Sequence, residues 1–294
     1  MICACVDIGS NTTRLLVADA GGGSLRELMT QRAFTRIGKS IVKGGAIPAA
    51  KIAETAEVVR TQAAVAREVG SEQIVAVATA AVRNAPNHQE LVSAVRTAAG
   101  VDLDVISEEE EARLSFVGAT CTLLQPPPGP IAVIDVGGGS TEIAVGDAEH
   151  GMQWSTSFRI GSGFLADTYL CSNPPSVDEL ERVRRHVAGT FEGLEPPPAR
   201  TAVAVGGTAT SLRRMVGAEL HHDTLERGIR VLSSTPIEEI ARRFELAPER
   251  VWLMPAGILV LSALSDLLGL PLKIARGGLR EGALLELVEG RRLG

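Results

Sequence analysis

Two short segments of the sequence combine the residue types that bind phosphate groups. Residues 6–12 read V-D-I-G-S-N-T, and residues 134–141 read I-D-V-G-G-G-S-T. In each copy an apolar strand ends in aspartate and glycine, and a second apolar segment follows at once, which predicts a tight hairpin. Glycine lets backbone N–H groups approach an anion closely, and neighbouring hydroxyls add donors. The predicted phosphate-binding residues are Gly9, Ser10, Asn11 and Thr12 in the first copy and Gly137, Gly138, Gly139 and Ser140 in the second.

The aspartate that ends each strand is placed to hold a metal ion. Mg2+ favours a few carboxylates together with phosphate oxygens, so Asp7 and Asp135 are candidate ligands. Aspartate and glycine also form ordinary hairpin turns, and for either copy alone that alternative is the stronger one. Two copies at domain spacing favour phosphate binding, and they predict a duplicated fold with one copy in each domain, facing each other across a cleft.

A third glycine turn, at residues 205–210, follows a predicted strand and begins a helix. Backbone N–H groups at a helix N-terminus attract anions, so Gly207 and Thr208 are further candidate phosphate ligands. The alternative is an ordinary helix start without a ligand.

The segments that position these motifs alternate between strand-like and helix-like patterns. Runs rich in Val, Ile and Ala predict strands at 2–8, 15–18, 74–78, 103–106, 131–136, 142–145, 202–205 and 272–275. Helical patterns occur at 49–68, 88–98, 108–123, 177–191, 237–244, 248–268 and 279–293. Such alternation predicts α/β layers. A proline cluster at 126–130 separates two α/β units, so we predict a domain at 1–120, a second at 121–280, and a C-terminal helix at 281–294 that could return to the first.

Composition limits the partners and the location of the protein. The net charge of −6 and the pI near 5.5 argue against a nucleic-acid-binding protein with a broad basic surface. The longest apolar run, 253–270, contains Pro255 and Asp266 and predicts a buried core helix, not a membrane span. The N-terminus has no pattern typical of a signal peptide, so we expect a cytoplasmic protein. The four cysteines have no C-x-x-C spacing and are expected as reduced thiols in the core.

Six motifs, taken together and in order, resemble the Ppx/GppA phosphatase family of exopolyphosphatases and guanosine pentaphosphate phosphohydrolases. They are D-I-G-S-N-x-x-R at 7–14, A-T-x-A-x-R at 78–83, S-x-E-E-E-A-R-L at 107–114, D-V-G-G-G-S-T-E at 135–142, G-G-T-A-T-S at 206–211 and G-L-R-E-G at 278–282. The resemblance implies the actin-like fold of actin, sugar kinases and Hsp70, with two ribonuclease H-like domains around a cleft. Longer family members carry a C-terminal HD-type helical domain, and we expect none here.

The resemblance also implies an activity and its residues. The expected reaction is Mg2+-dependent hydrolysis of the terminal phosphate of polyphosphate, or of the 5′ phosphate of guanosine pentaphosphate; other divalent ions and a monovalent ion stay open, and a homodimer is implied by the resemblance alone. By motif position, the resemblance implies that Glu111 is the catalytic base. It also implies that Glu142 is the second essential carboxylate, which acts on water, or on the metal together with Asp135. Because phosphoryl transfer also needs cations on the phosphate oxygens, the candidate phosphate ligands include Arg14, Arg36, Lys39 and Arg83.

Three alternatives to an exopolyphosphatase stay open at this point. A guanosine pentaphosphate phosphohydrolase uses the same motifs, and only the short chain length favours polyphosphate. An actin-like ATPase or kinase would need an adenosine pocket and, for a kinase, usually an aspartate base, whereas Glu111 on a capped helix fits water activation better. A non-catalytic phosphate sensor is the third alternative, but all the expected carboxylates are present.

Overall fold

The structure, a computed structural model, describes residues 1–21, 24–41, 45–123 and 127–290. The chain divides into two compact units, Met1–Cys121 with Gly277–Gly294, and Thr122–Arg276. The sequence patterns placed these divisions at 120/121 and 280/281. Each unit is an α/β structure with its own apolar core.

The elements alternate along both units. The strands are β1 (Ile2–Ile8), β2 (Thr13–Gly21), β3 (Ser24–Ala33), β4 (Gln73–Ala78), β5 (Leu103–Val105), β6 (Ile131–Val136), β7 (Thr141–Asp147), β8 (Gly151–Phe158), β9 (Thr201–Val205), β10 (Glu219–Leu220) and β11 (Leu272–Ile274). The helices are α1 (Ile37–Ser40), α2 (Ala49–Glu68), α3 (Ala80–Arg83), α4 (His88–Ala99), α5 (Glu108–Cys121), α6 (Ser162–Tyr169), α7 (Val177–Thr190), α8 (Gly206–Val216), α9 (His222–Ser234), α10 (Ile237–Phe244), α11 (Pro248–Leu268) and α12 (Leu279–Val288).

The two sheets repeat one arrangement of strands. The first has the order β3-β2-β1-β4-β5, and the second has the order β10-β11-β9-β6-β7-β8. In the first sheet β1 pairs antiparallel with β2 and parallel with β4, and in the second β6 pairs in the same way with β7 and β9. The second sheet adds β10, which is antiparallel to β11. The predicted α/β fold, with one copy of the hairpin motif in each unit, is therefore confirmed.

The long apolar run forms α11, as predicted, and lies in the core of the second unit. This helix is apolar and long enough to cross a membrane, but 72% of its most apolar stretch is buried inside the protein. Pro255 and Gly257 within it are buried, and Gly257 lies against Thr208 of α8. The helix is therefore a core helix.

Some elements and positions were not predicted correctly. The sequence patterns did not predict β3, β8, α6 or α9. Of these, β3 and β8 are sheet edges, where one-sided burial leaves no continuous apolar run.

Cys3 and Cys5 are buried as predicted, and burial raises the pKa of both thiols. Cys121 and Cys171 are exposed, so the prediction that all four lie in the core is wrong for these two. Cys121 ends α5, and Cys171 lies beyond the last turn of α6.

Two glycines bring α5 and α12 into backbone contact within the first unit. A Cβ atom on Gly118 would overlap the carbonyl oxygen of Gly278, and one on Gly282 would overlap the carbonyl oxygen of Leu114. Arg113 of α5 also donates to Glu286 of α12 at 3.0 Å. These contacts fix the axis of α5, the helix that carries Glu111.

A buried glutamate anchors the start of α7 in the second unit. Glu179 is 5% exposed and accepts from the N–H groups of Cys171, Ser172 and Ser176 and from the Ser172 hydroxyl. It also completes a capping box with Ser176 at the helix start. Burial alone would raise the pKa of Glu179, but these hydrogen bonds outweigh it and lower the pKa to about 2.

Replacing Gly282 by alanine should destabilise the first unit. The added methyl group would force α5 and α12 apart, and overpacking of this kind costs about 1–3 kcal/mol or more in the free energy of unfolding. Urea denaturation measures the change, with Gly189→Ala as the control, because a Cβ at Gly189 in α7 meets open space. If the two variants were equally stable, the backbone contact would not constrain the helices.

Replacing Glu179 by glutamine should lower stability in a pH-dependent way. At pH 7 the loss of the ionised acceptor should cost about 1–3 kcal/mol. Because the folded pKa of about 2 lies below the ordinary value of 4.5, the stabilisation is complete above pH 4.5 and is lost as the pH falls towards 2. The difference in unfolding free energy between parent and variant should therefore shrink across this window. A constant difference would contradict the assignment, and Glu192→Gln, at an exposed position, serves as the control.

Candidate active site

The first glycine turn joins β1 to β2 in the first unit. Strand pairing places Asp7 directly opposite Arg14, and the Gly9 N–H closes the turn by donating to the Thr12 carbonyl at 3.0 Å. Thr12 is buried, and its hydroxyl accepts from Arg14 Nε at 3.1 Å. Arg14 is thus held beside the turn, as its predicted role in phosphate binding requires.

The second glycine turn joins β6 to β7 in the second unit and has the same closing bond. The Gly137 N–H donates to the Ser140 carbonyl at 3.0 Å. Gly138 and Gly139 are partly exposed, whereas Ser140 is buried. The backbone of the turn therefore reproduces the first one.

In both turns, carbonyl groups are held by N–H groups from a later segment of the same unit. In the first unit the N–H groups of Arg36 and Gly38 donate to the carbonyls of Asn11 and Ser10, at 2.9 and 2.8 Å. In the second unit the first N–H groups of α6 do the same: that of residue 162 donates to the carbonyl of residue 137 at 2.9 Å, and those of residues 163 and 164 donate to the carbonyl of residue 138 at 2.9 and 3.0 Å. The turns are thus fixed from their carbonyl side.

The third glycine turn is placed differently from the expectation. Gly207 and Thr208 are buried, and the Thr208 side chain is 0% exposed and lies against Gly257 of α11. The Thr208 hydroxyl therefore faces the core and does not reach the surface as a phosphate ligand. Gly206 is partly exposed and has a φ of +86°. It lies beside the candidate metal ligand Asp135, since a Cβ there would be 2.5 Å from Asp135 Oδ1.

The candidate base Glu111 lies in the first turn of α5 and is 7% exposed. Arg83 at the end of α3 donates from Nη1 to Glu111 Oε2 at 2.8 Å and to the Ile106 carbonyl at 3.0 Å. Arg83 was predicted to bind phosphate, and the structure brings it onto the carboxylate. Its Nε and Nη2 are buried without hydrogen-bond partners in the described part of the chain, and Nη2 lies 3.7 Å from Glu108 Oε1 as an ion pair.

Two more predicted cationic residues lie beside the first turn. Arg36 precedes α1 and has a left-handed backbone, with φ +50° and ψ +41°, which is uncommon for a residue with a side chain. Arg36 and Lys39 are both exposed. Because the N–H groups of residues 36 and 38 bind the turn, both side chains start close to it.

Glu142 and Asp135 form the arrangement that best fits a divalent cation. They stand directly opposite each other on β7 and β6, so their side chains share one face of the sheet with Cβ atoms about 5 Å apart. Two like charges in this position are unfavourable, and a hard cation with oxygen ligands relieves the repulsion. Glu142 is 2% exposed and accepts from Ser157 Oγ at 2.9 Å. The donor set therefore fits Mg2+, although no preformed group of three or more His, Cys, Asp or Glu residues occurs in the described ranges.

Four contact residues were not predicted from the sequence: Ser157, which donates to Glu142, and Gly161, Ser162 and Gly163, which pack against the second turn. Ser157 lies opposite Glu142 on β8, an edge strand that was not predicted. The other three form the start of α6 against the second turn. The available signal was the G-S-G sequence at 161–163, since glycines flanking a helix start indicate close backbone approach.

Known proteins are similar to this chain in both sequence and fold. The chain matches the Ppx/GppA phosphatase family model over residues 16–290. It is 31% identical over 253 residues to exopolyphosphatase 2 of Mycobacterium tuberculosis, covering 82% of this chain and 78% of that protein. The crystal structure of the Aquifex aeolicus Ppx/GppA family member aligns with a TM-score of 0.82 and 27% identity, over 99% of this chain and 98% of that one.

An exopolyphosphatase structure from Cytophaga hutchinsonii aligns with a TM-score of 0.89 over 100% of both chains and, at 20% identity, supports the fold alone. The fold is the actin-like one that the motifs implied. With the family model matched across most of its length, this chain belongs to the Ppx/GppA phosphatase family.

Proposed function

We propose that this protein is an exopolyphosphatase that hydrolyses the terminal phosphoanhydride bond of inorganic polyphosphate and releases orthophosphate. The observation that carries the proposal is the duplicated glycine turn, closed by the same hydrogen bond in both units. Relatives named exopolyphosphatase support the same activity. The reaction is a phosphoryl transfer to water, which requires positioning and charge neutralisation more than covalent chemistry from the protein.

The phosphate chain would be bound by backbone N–H groups and guanidinium groups. In the first unit the turn at Asn11 and Thr12 supplies N–H donors, and Arg14, Arg36 and Lys39 supply positive charge. In the second unit Gly138 and Gly139 supply the N–H donors. Amide donors preorganised in this way stabilise charge on the equatorial oxygens without moving during the reaction.

Glu111 would orient and deprotonate the attacking water. The guanidinium of Arg83 at 2.8 Å favours the charged form of the carboxylate and fixes its position on α5. Nε of Arg83, which has no hydrogen-bond partner among the described residues, would bind a phosphate oxygen while Nη1 holds Glu111. Arg83 would therefore link the base to the phosphate that is attacked.

Glu142 and Asp135 would hold Mg2+. When bound, the ion neutralises charge on the phosphate oxygens. The Ser157 hydroxyl keeps Glu142 in a fixed rotamer, and Gly206 leaves space for the Asp135 carboxylate against the start of α8. Asp7 stands opposite Arg14 and would contribute to metal binding only through water.

Removing either carboxylate should abolish most of the activity. Glu111→Gln keeps the shape of the side chain but removes the base, so we expect kcat for phosphate release from polyphosphate to fall by about 10²–10⁴. Glu142→Gln should give a loss of similar size, and Glu192→Gln at an exposed position should retain parent activity. Polyphosphates of defined length, guanosine pentaphosphate and ATP are assayed in parallel. Full activity of Glu111→Gln would rule out Glu111 as the base, and a preference for guanosine pentaphosphate would favour the alternative family activity.

Metal dependence should separate the two carboxylates. Chelation with EDTA should stop phosphate release, and added Mg2+ should restore it. Because Glu142 is a proposed ligand and Glu111 is not, Glu142→Gln should raise the Mg2+ concentration needed for half-maximal activity, whereas residual activity of Glu111→Gln should keep the parent value. An unchanged Mg2+ requirement in Glu142→Gln would contradict its role as a ligand.

A further inference from the structure

We propose that the segment after the third strand of each unit orients the peptide groups of the glycine turn, and that Gly38, Gly161 and Gly163 are positioning residues for phosphate binding. The inference rests on the proposed phosphate-binding role of the turns. It assigns a task to residues that bind no phosphate themselves.

The geometry of the peptide group links each held carbonyl to the N–H group of the next residue. In a trans peptide the carbonyl of one residue and the N–H of the next point in opposite directions. In the second unit the α6 N–H groups hold the carbonyls of Gly137 and Gly138. The N–H groups of Gly138 and Gly139 must therefore point away from α6. Neither of these N–H groups donates to a protein acceptor among the described residues.

The first unit uses the same arrangement on a different segment. The N–H groups of residues 38 and 36 hold the carbonyls of Ser10 and Asn11. The N–H groups of Asn11 and Thr12 are consequently directed away from that segment. The second residue of the turn is Ser10 in the first unit and Gly138 in the second, and its carbonyl is held in both. This contact is therefore part of the duplicated structure.

The glycines are required by the short distance between the two backbones. A Cβ on Gly161 would be 2.5 Å from the Gly138 carbonyl carbon, and one on Gly163 would be 2.9 Å from the Gly138 oxygen. A Cβ on Gly38 would be 3.2 Å from Ser10 Cβ and 3.3 Å from its oxygen. A side chain at Gly161 or Gly163 would displace the turn, and one at Gly38 would press on it by a few tenths of an ångström.

The arrangement also excludes a simpler role for α6. The N-terminus of a helix commonly binds an anion through its first N–H groups. Here the first N–H groups of α6 donate to the turn carbonyls, and the Ser162 hydroxyl adds a bond to the Gly137 carbonyl at 3.0 Å. The helix therefore acts on the anion through the turn.

The test measures binding of tripolyphosphate by calorimetry, separately from hydrolysis. Gly163→Ala should displace the turn, and Ser162→Pro should remove one N–H donor at the first helical position, where proline is tolerated. Both should weaken binding by about 10- to 100-fold. Ser162→Ala keeps the N–H group and should lose less, and Gly189→Ala, whose Cβ meets open space, should bind as the parent does.

The outcomes separate a positioning role from general destabilisation. A variant that is merely unstable loses binding stoichiometry and leaves the Kd of the folded fraction unchanged, whereas a displaced turn raises the Kd at full stoichiometry. Parent-like Kd values for Gly163→Ala and Gly38→Ala would overturn the inference, even if Ser162→Pro failed to fold. If the parent binds tripolyphosphate but hydrolyses no phosphoanhydride, the proposed function fails while the binding test stands. A parent that does not bind tripolyphosphate would overturn both.

Discussion

Burying a carboxylate is expensive unless charge or hydrogen bonds replace water, and this requirement shapes both units. Within the described residues, the buried glutamates are Glu111, Glu142, Glu179 and Glu286. Glu286 is paired with Arg113 across α5 and α12, and Glu179 accepts several N–H groups at the start of α7. In both cases the partners come from the packing of the unit itself, so these two carboxylates hold helices in place.

Glu111 and Glu142 satisfy the same requirement in a way that leaves chemistry open. Arg83 holds Glu111 through Nη1, and its Nε has no hydrogen-bond partner among the described residues, so in the proposed site a phosphate would bind without breaking the ion pair. Glu142 faces Asp135 across the strand pair, an arrangement that a cation stabilises. The proposed catalytic glutamates thus differ from the structural ones in having an arginine or a second carboxylate beside them that a ligand would also contact.

Much of this arrangement could be predicted because it depends on local patterns. The strand-Asp-Gly-strand repeat predicted both turns, and apolar periodicity predicted α11 to the residue. Features that depend on packing between distant segments could not be read in the same way. The core-facing Thr208 depends on Gly257 of α11, and the ion pair of Arg83 depends on where α5 begins relative to α3. Ser157 was missed because β8 is an edge strand with no continuous apolar pattern.

The duplication explains the common backbone, and the residue opposite each aspartate explains why the two units differ. Asp7 faces Arg14, whereas Asp135 faces Glu142 at the equivalent position of the second hairpin. In the proposed reaction a polyanionic substrate and a metal ion would make opposite demands, since phosphate needs positive charge and a divalent cation needs carboxylates. An arginine opposite both aspartates would leave few metal ligands, and a glutamate opposite both would repel the substrate. One exchange of charge on a shared scaffold would therefore let a duplicated hairpin meet both demands.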